Sequence, residues 1–222
     1  GPNGRQVEPE DTQKAKRDSY LVETPTAPEK PKGVLGARVR YSAGESTDPD
    51  GKIARYLWDL DADGIIDHVS STPEVVKRYE TYGSLLAILQ VEDNERPAGT
   101  DLAFATPELP KDKLAPKLPF TVSAVAFPRE VIAGGKTVLG ASVTGGEPPY
   151  KYSWSFSDGT TADKSAVLLF AGRPGEIKGN LTVTDTSGRS ISKVVSTTVI
   201  TPKSASENAP VMMIEPGRVY LD

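Results

Sequence analysis

The stretch WDLDADGIIDHVSS, residues 58 to 71, sets Asp59, Asp61 and Asp63 at alternate positions, follows them with Gly64 and adds Asp67. Hard carboxylate oxygens this closely spaced, with a glycine at the turn, are the donor set of a calcium loop, and the five residues fall on positions 1, 3, 5, 6 and 9 of an EF-hand-type loop. Position 12 falls on Ser70 instead of a bidentate acid, so an ion bound here is expected to be held weakly. The competing reading needs no ion: Asp59 and Asp63 accept nearby backbone N–H groups and shape the turn. A second candidate calcium site is formed by Asp48 and Asp50 of STDPDG with Asp93 and its neighbours Glu92 and Asn94, provided the strands that carry them run side by side. Its alternative is a solvated turn with Pro49 at the first central position. The steps from Asp50 to Asp59 span about 30 Å at strand rise, so the two clusters belong to opposite ends of one unit.

Other chemistry is thinly represented. His68 is the single histidine and cysteine is absent, which leaves no histidine metal site or catalytic dyad, no thiolate ligand and no disulfide. GVLGAR and AGGK lack the glycine and Lys-Ser/Thr spacing of a phosphate loop. Asn180-Leu181-Thr182 is a glycosylation sequon, relevant only in a source that modifies such sites. The remaining acids read as solvated charges, and no deep pocket is expected. A net charge of −4 and a pI near 5.2 give no electrostatic footprint for nucleic acid and argue against an anionic membrane surface.

The elements that must position these acids are strands. With 222 residues, 20 glycines, 19 prolines and β-branched runs between turn signals, the composition suits an all-β chain of two small domains. From residue 34 the runs ARVRYSAG, KIARYLWDL, EVVKRYETYG and SLLAILQVEDN are punctuated by turns. The series returns roughly a hundred residues later as KTVLGASVTGG, EPPYKYSWSF, AVLLFAGRPG and GNLTVTDTSG, an internal repeat. Residues 1 to 33 are polar, with SYLVETP as a candidate strand. The opening GPNGRQVEPE carries no hydrophobic signal region and reads as a cloning remnant followed by the start of an excerpt. Residues 108 to 118 read as a semi-rigid Pro/Lys linker, and 202 to 222 as a tail that opens a further repeat.

The anchors of the two copies, YLWDLDADG with LQVEDN and YSWSFSDG with LTVTDTSG, resemble those of PKD domains, the immunoglobulin-like modules named after polycystic kidney disease. Ser155 and Ser157 depart from the family's usual Asp and Gly. The resemblance covers residues 34 to 107 and 119 to 201. It implies tandem antiparallel β-sandwiches, with Trp58 and Trp154 buried on the third strand of the immunoglobulin order. In that frame the DLDADG stretch is a turn leaving a strand, the EF-hand reading fails, and calcium survives as a freestanding loop site in the first domain only.

Alternation supplies a clue to partners. If Leu85, Ala87, Leu89 and Val91 point inward, Leu86 and Ile88 point outward, as does Leu57 when Tyr56 and Trp58 point inward. The equivalent positions of the second copy are Lys151, Ser153, Asn180, Thr182 and Thr184. Leu57, Leu86 and Ile88 therefore form an apolar patch that requires a cover: the N-terminal segment, the second domain or another protein chain. The resemblance implies a non-enzymatic extracellular, cell-surface or periplasmic spacer and protein-interaction module, with calcium stiffening of the first domain. The rivals are an accessory carbohydrate- or substrate-binding module of a secreted hydrolase and a component of an envelope assembly. The aromatic residues fall on core positions and make no obvious platform, which disfavours carbohydrate.

Overall fold

The computed structural model describes residues 20–23 as a strand backbone, and 37–95 and 98–201 in full. The expected tail repeat at 202 to 222 and most of the N-terminal segment lie outside these. Among the described residues, nine strands run through the first copy: β1 (Tyr20–Glu23), β2 (Ala37–Ser42), β3 (Ile53–Asp59), β4 (His68–Ser70), β5 (Glu74–Tyr79), β6 (Gly83–Ser84), β7 (Ala87–Asp93), β8 (Thr100–Ala105) and β9 (Glu108–Leu109). Eight follow in the second: β10 (Thr121–Phe127), β11 (Glu130–Ile132), β12 (Lys136–Thr144), β13 (Lys151–Phe156), β14 (Thr161–Ala162), β15 (Ala166–Phe170), β16 (Gly175–Thr184) and β17 (Ser190–Ile200).

Domain 1 pairs a β1-β2-β5 sheet with a β4-β3-β7-β8 sheet. Alternation along β3 and β7 sends Tyr56, Trp58, Ala87, Leu89 and Val91 between them, where they meet Val39 and Tyr41 of β2. Domain 2 repeats the plan with β10-β12-β15 against β11-β17-β16-β13-β14, and Trp154, Leu181 and Val183 lie between its sheets with Leu139 and Ala141. Both tryptophans are buried as the resemblance implies, at 3% and 1% exposure. The Trp154 indole donates to the Lys164 carbonyl at 2.9 Å.

The two sandwiches are stacked face to face. Leu86, Ile88 and Leu102 on the outer face of domain 1 pack with Val125, Phe127, Val138 and Ala166 on the outer face of the β10-β12-β15 sheet. The chain thus forms four sheet layers with three apolar seams. Backbone pairing crosses the boundary, since Gly83 and Ser84 of β6 pair with Thr144 and Val143 of β12. The Leu86 N–H also donates to Ser142 Oγ at 2.9 Å.

Of the three covers expected for the apolar patch, the second domain supplies the one over Leu86 and Ile88, which corrects them as a surface for another protein chain. The register was as expected, with Leu86 and Ile88 pointing away from their own core, but domain 2 buries them to 0% and 1% exposure. Leu57 stays half-buried outside this seam, between Val69 and Gln90. The N-terminal strand β1 adds to β2 instead, on the opposite sheet.

The Pro/Lys segment is a fastening as well as a connection. β9 pairs with β6, and Leu109 is buried in the core of domain 1. Lys111 Nζ lies 2.8 Å from Glu147 of domain 2 and sits over the Tyr82 ring. The Leu118 N–H donates to the Tyr82 hydroxyl at 3.1 Å. Across the boundary Lys136 pairs with buried Asp101 at 2.9 Å.

Candidate metal centre

Strands β3 and β4 form a hairpin with Trp58 opposite His68, and the loop between them carries the acids. The Asp67 N–H donates to the Trp58 carbonyl at 2.8 Å, closing the loop's base. The Tyr79 hydroxyl donates to the Leu60 carbonyl at 2.6 Å and bonds with the Tyr41 hydroxyl at 2.8 Å, which ties the loop to the core. Burial pushes the Tyr79 phenol up to about 12, so it remains a donor at neutral pH.

Three of the four expected acids converge. Carboxylate oxygens of Asp59, Asp61 and Asp67 lie within 4.8 Å of one another. Asp59 is fully buried. Its Oδ2 accepts from Gly64 N–H at 2.9 Å, while its Oδ1 is buried without a hydrogen-bond partner. Burial pushes the Asp59 carboxyl up to about 6; the amides of Gly64 and Ala62 oppose the rise, and the charges of Asp61 and Asp63 add to it. Burial also raises Asp61, followed by the charges of Asp67 and Asp63. Asp67 Oδ2 accepts from the Leu60 N–H at 2.7 Å. An unpaired buried carboxylate oxygen is costly, and beside two exposed carboxylates it is the hard, anionic donor set that suits calcium.

Asp63 turns away from this group. Its Oδ1 accepts the Ile65 N–H at 2.7 Å, an Asx turn of the kind the competing reading assigned to it. Ser70 Oγ donates to the Thr72 carbonyl at 2.6 Å. Both readings of the loop are thus partly realised in its geometry: backbone amides take one oxygen of each of several acids, and one oxygen of Asp59 is left over. The corresponding turn of domain 2 has a single aspartate, Asp158, which is exposed and whose Oδ1 accepts from Thr160 N at 2.9 Å and Thr160 Oγ1 at 2.6 Å.

The second acidic group gathers at the other end of domain 1, where Ile53 pairs with Asp93. The Lys52 N–H donates to Asn94 Oδ1 at 2.9 Å. Asp48 Oδ2 is buried without a hydrogen-bond partner, and burial raises the carboxyl, with the charges of Asp50 and Asp93 adding to it. Asp93 faces its own loop, accepting the Glu95 and Gly99 N–H groups at 2.9 and 3.0 Å. Gly51 sits so close that a Cβ there would lie 2.8 Å from both Asn94 Oδ1 and Asp48 Oδ2.

A groove of about 730 Å³ does open between the domains, lined by Leu102, Ile132, Lys136 and Phe170 among others. Sequence reasoning missed it because it requires the stacking of the sandwiches. Phe170 is the exposed aromatic among the described residues.

Paired antiparallel sandwiches carrying one acidic hairpin loop define a tandem immunoglobulin-like module. The PKD domain family matches residues 25–104 and again residues 122–200, and the chain belongs to it as two tandem PKD domains. Such domains are non-catalytic modules, typically extracellular, that space or bind other proteins. Among solved structures, the chain is similar to fibronectin(III)-like modules of Clostridium thermocellum CbhA, at 7% identity and TM-score 0.29 over 91% of this chain and 100% of that one. It is also similar to the two-domain IG1+IG2 unit of DIP-gamma, at 14% identity and TM-score 0.30 over 77% and 91%. A Ca2+-stabilized adhesin that helps an Antarctic bacterium bind ice matches at 14% identity and TM-score 0.26, over 85% of this chain and 50% of that one. These likenesses extend no further than the sandwich fold.

Proposed function

We propose that this chain is a non-enzymatic extracellular or cell-surface spacer and protein-interaction unit, stiffened by calcium in the β3–β4 loop of domain 1. The observation that carries the reading is the convergence of Asp59, Asp61 and Asp67 on a fully buried carboxylate whose Oδ1 has no partner. A divalent cation would supply that partner, and would offset the burial and the neighbouring negative charges that raise Asp59 and Asp61. The stacked seams serve the same end, since a spacer works by resisting bending between its parts. A weaker second site at Asp48, Asp50 and Asp93 belongs to the same proposal.

Thermal unfolding in millimolar calcium and in chelator tests it. A ligand that binds the folded state alone raises its stability by mass action, by about 2.7 kcal/mol at a hundredfold excess over Kd. The expected result is a rise in Tm that Asp61→Ala abolishes, that Asp63→Ala leaves largely in place, and that survives Asp48→Ala/Asp50→Ala. Equal melting temperatures in calcium and chelator would remove calcium from the function and leave the loop as a turn held by its own aspartates.

A further inference from the structure

The loop that gathers the acids is also part of the surface that domain 1 turns toward domain 2. Ala62, next to Asp61, is fully buried and packs in the interdomain seam with Leu86, Ile88, Val125 and Phe127, and Ile66, next to Asp67, packs against the same seam. Gly64 comes close enough that a Cβ there would lie 3.4 Å from Val125 Cγ2 and 3.7 Å from Arg129 Nε. Asp61 borders an interdomain cavity of about 280 Å³ with Thr121, Ser123 and Ser142 of domain 2. The loop thus sends Asp59, Asp61 and Asp67 toward one another and Ala62 and Ile66 onto the neighbouring domain.

Ala62 holds φ at 56°, in the left-handed region. A residue with a Cβ is strained in that region, so this shape persists only where surrounding contacts outweigh the strain. Two sets of contacts are available: packing of Ala62 and Ile66 on domain 2, and bonds from the acids to a cation. Repulsion among the carboxylates opposes the converged shape, and a cation would relieve it.

We propose that cation binding in the β3–β4 loop and docking of domain 2 onto domain 1 are one linked equilibrium. The inference rests on the calcium reading given above. A cation that gathers Asp59, Asp61 and Asp67 fixes Ala62 and Ile66 in the shape domain 2 packs against, and domain 2 in return holds the acids together. Linkage makes the effect reciprocal: the factor by which calcium tightens docking is the factor by which docking tightens calcium.

The test uses the whole chain and two readouts. Calorimetric titration with calcium chloride gives the Kd. The chain contains no native cysteine, so Glu74→Cys and Lys178→Cys, exposed on β5 and β16, report the interdomain distance by dye energy transfer. Val138→Glu places a charge in the seam on the domain 2 side without touching the acids. The expected results are a Kd weakened about fivefold or more in Val138→Glu, in the range of ordinary site-to-site coupling, and a wider or lengthened distance distribution in the parent when calcium is chelated. If Val138→Glu does not fold, Leu168→Lys, half-buried on the same face, makes the same measurement. Calcium binding of unchanged affinity in the seam variant, with a distance indifferent to calcium, would overturn the linkage while leaving the calcium site standing. Absence of any binding heat and of any calcium-dependent Tm shift in the parent chain would overturn both.

Discussion

Asp59 and Asp185 are both buried aspartates at the end of a strand, and their surroundings give them opposite pH behaviour. Burial pushes Asp185 up, but hydrogen bonds from the Ser187 hydroxyl, Arg189, and the Arg189 and Glu147 amides more than reverse it, so its carboxyl lies well below the usual range. The stability Asp185 contributes is present above the unfolded carboxylate range and is lost as pH falls through its depressed folded value. Asp59 has no cation partner and sits at about 6 against an ordinary value of 3.8. Its folded state binds the proton more tightly than its unfolded state, so stability falls as pH rises from about 4 to about 6 and stays lower above that. In chelator, Asp59→Asn, which keeps an acceptor for Gly64, is therefore expected to stabilise the chain at pH 7 by on the order of 1 kcal/mol after allowance for solvent screening. It should have little effect at pH 4. Urea unfolding at the two pH values measures the difference, and a parent chain whose stability in chelator does not fall between them would show that Asp59 titrates normally. The spacing of the acids made the site visible in sequence. It did not show which acid would follow which reading, with Asp63 turning to the Ile65 amide, because the direction of a loop carboxylate is set by which N–H groups the folded backbone leaves unpaired.

At the scale of elements, period-2 alternation along β7 was fully legible: Leu85, Ala87, Leu89 and Val91 line the core of domain 1, and Leu86 and Ile88 form the other face. The approach of Asp93 and Asn94 to Asp48 likewise followed from the antiparallel order. Which of the three covers the outer face takes was not legible, since the domain 2 residues that provide it are ordinary alternating strand residues such as Val125, Phe127 and Val138, whose partners lie far away in sequence. Nor was β6, only two residues long, whose pairing with β12 depends on Gly83. This glycine has φ 142° and stands so close to β12 that a Cβ would lie 2.0 Å from the Val143 carbonyl oxygen. Gly83→Ala is expected to break the cross-domain pairing and cost about 2 kcal/mol or more, through backbone strain together with the clash. Hydrogen exchange should then show faster exchange at Val143 and Thr144 while β16 keeps its protection. Unaltered exchange at those two amides would mean that the chains separate there without energetic consequence.

At the scale of the whole molecule, the seam decides whether two PKD domains behave as beads or as one body. Ile88 and Leu86 are buried at 1% and 0% exposure, and burial of each contributes about 1.5–3 kcal/mol. To these are added the β6–β12 pairing, the Leu86–Ser142 hydrogen bond and the Lys136–Asp101 pair, whose carboxylate is 5% exposed. Separating the domains would uncover this apolar surface and leave Asp101 without its cation, so the cost of opening is a substantial part of the 5–15 kcal/mol that stabilises an ordinary domain. The two sandwiches are therefore expected to unfold in a single calorimetric transition in calcium, with van't Hoff and calorimetric enthalpies in agreement. Ile88→Ser should remove about 2–4 kcal/mol from the seam and split the transition in two, because Ile88 points away from the core of domain 1 and each sandwich keeps its own packing. Two well-separated transitions in the parent chain would show that the domains are coupled too weakly to act as one stiff unit. A single transition in the parent that Ile88→Ser lowers without splitting would place the coupling in the β6–β12 pairing and the Pro/Lys fastening instead of the apolar seam.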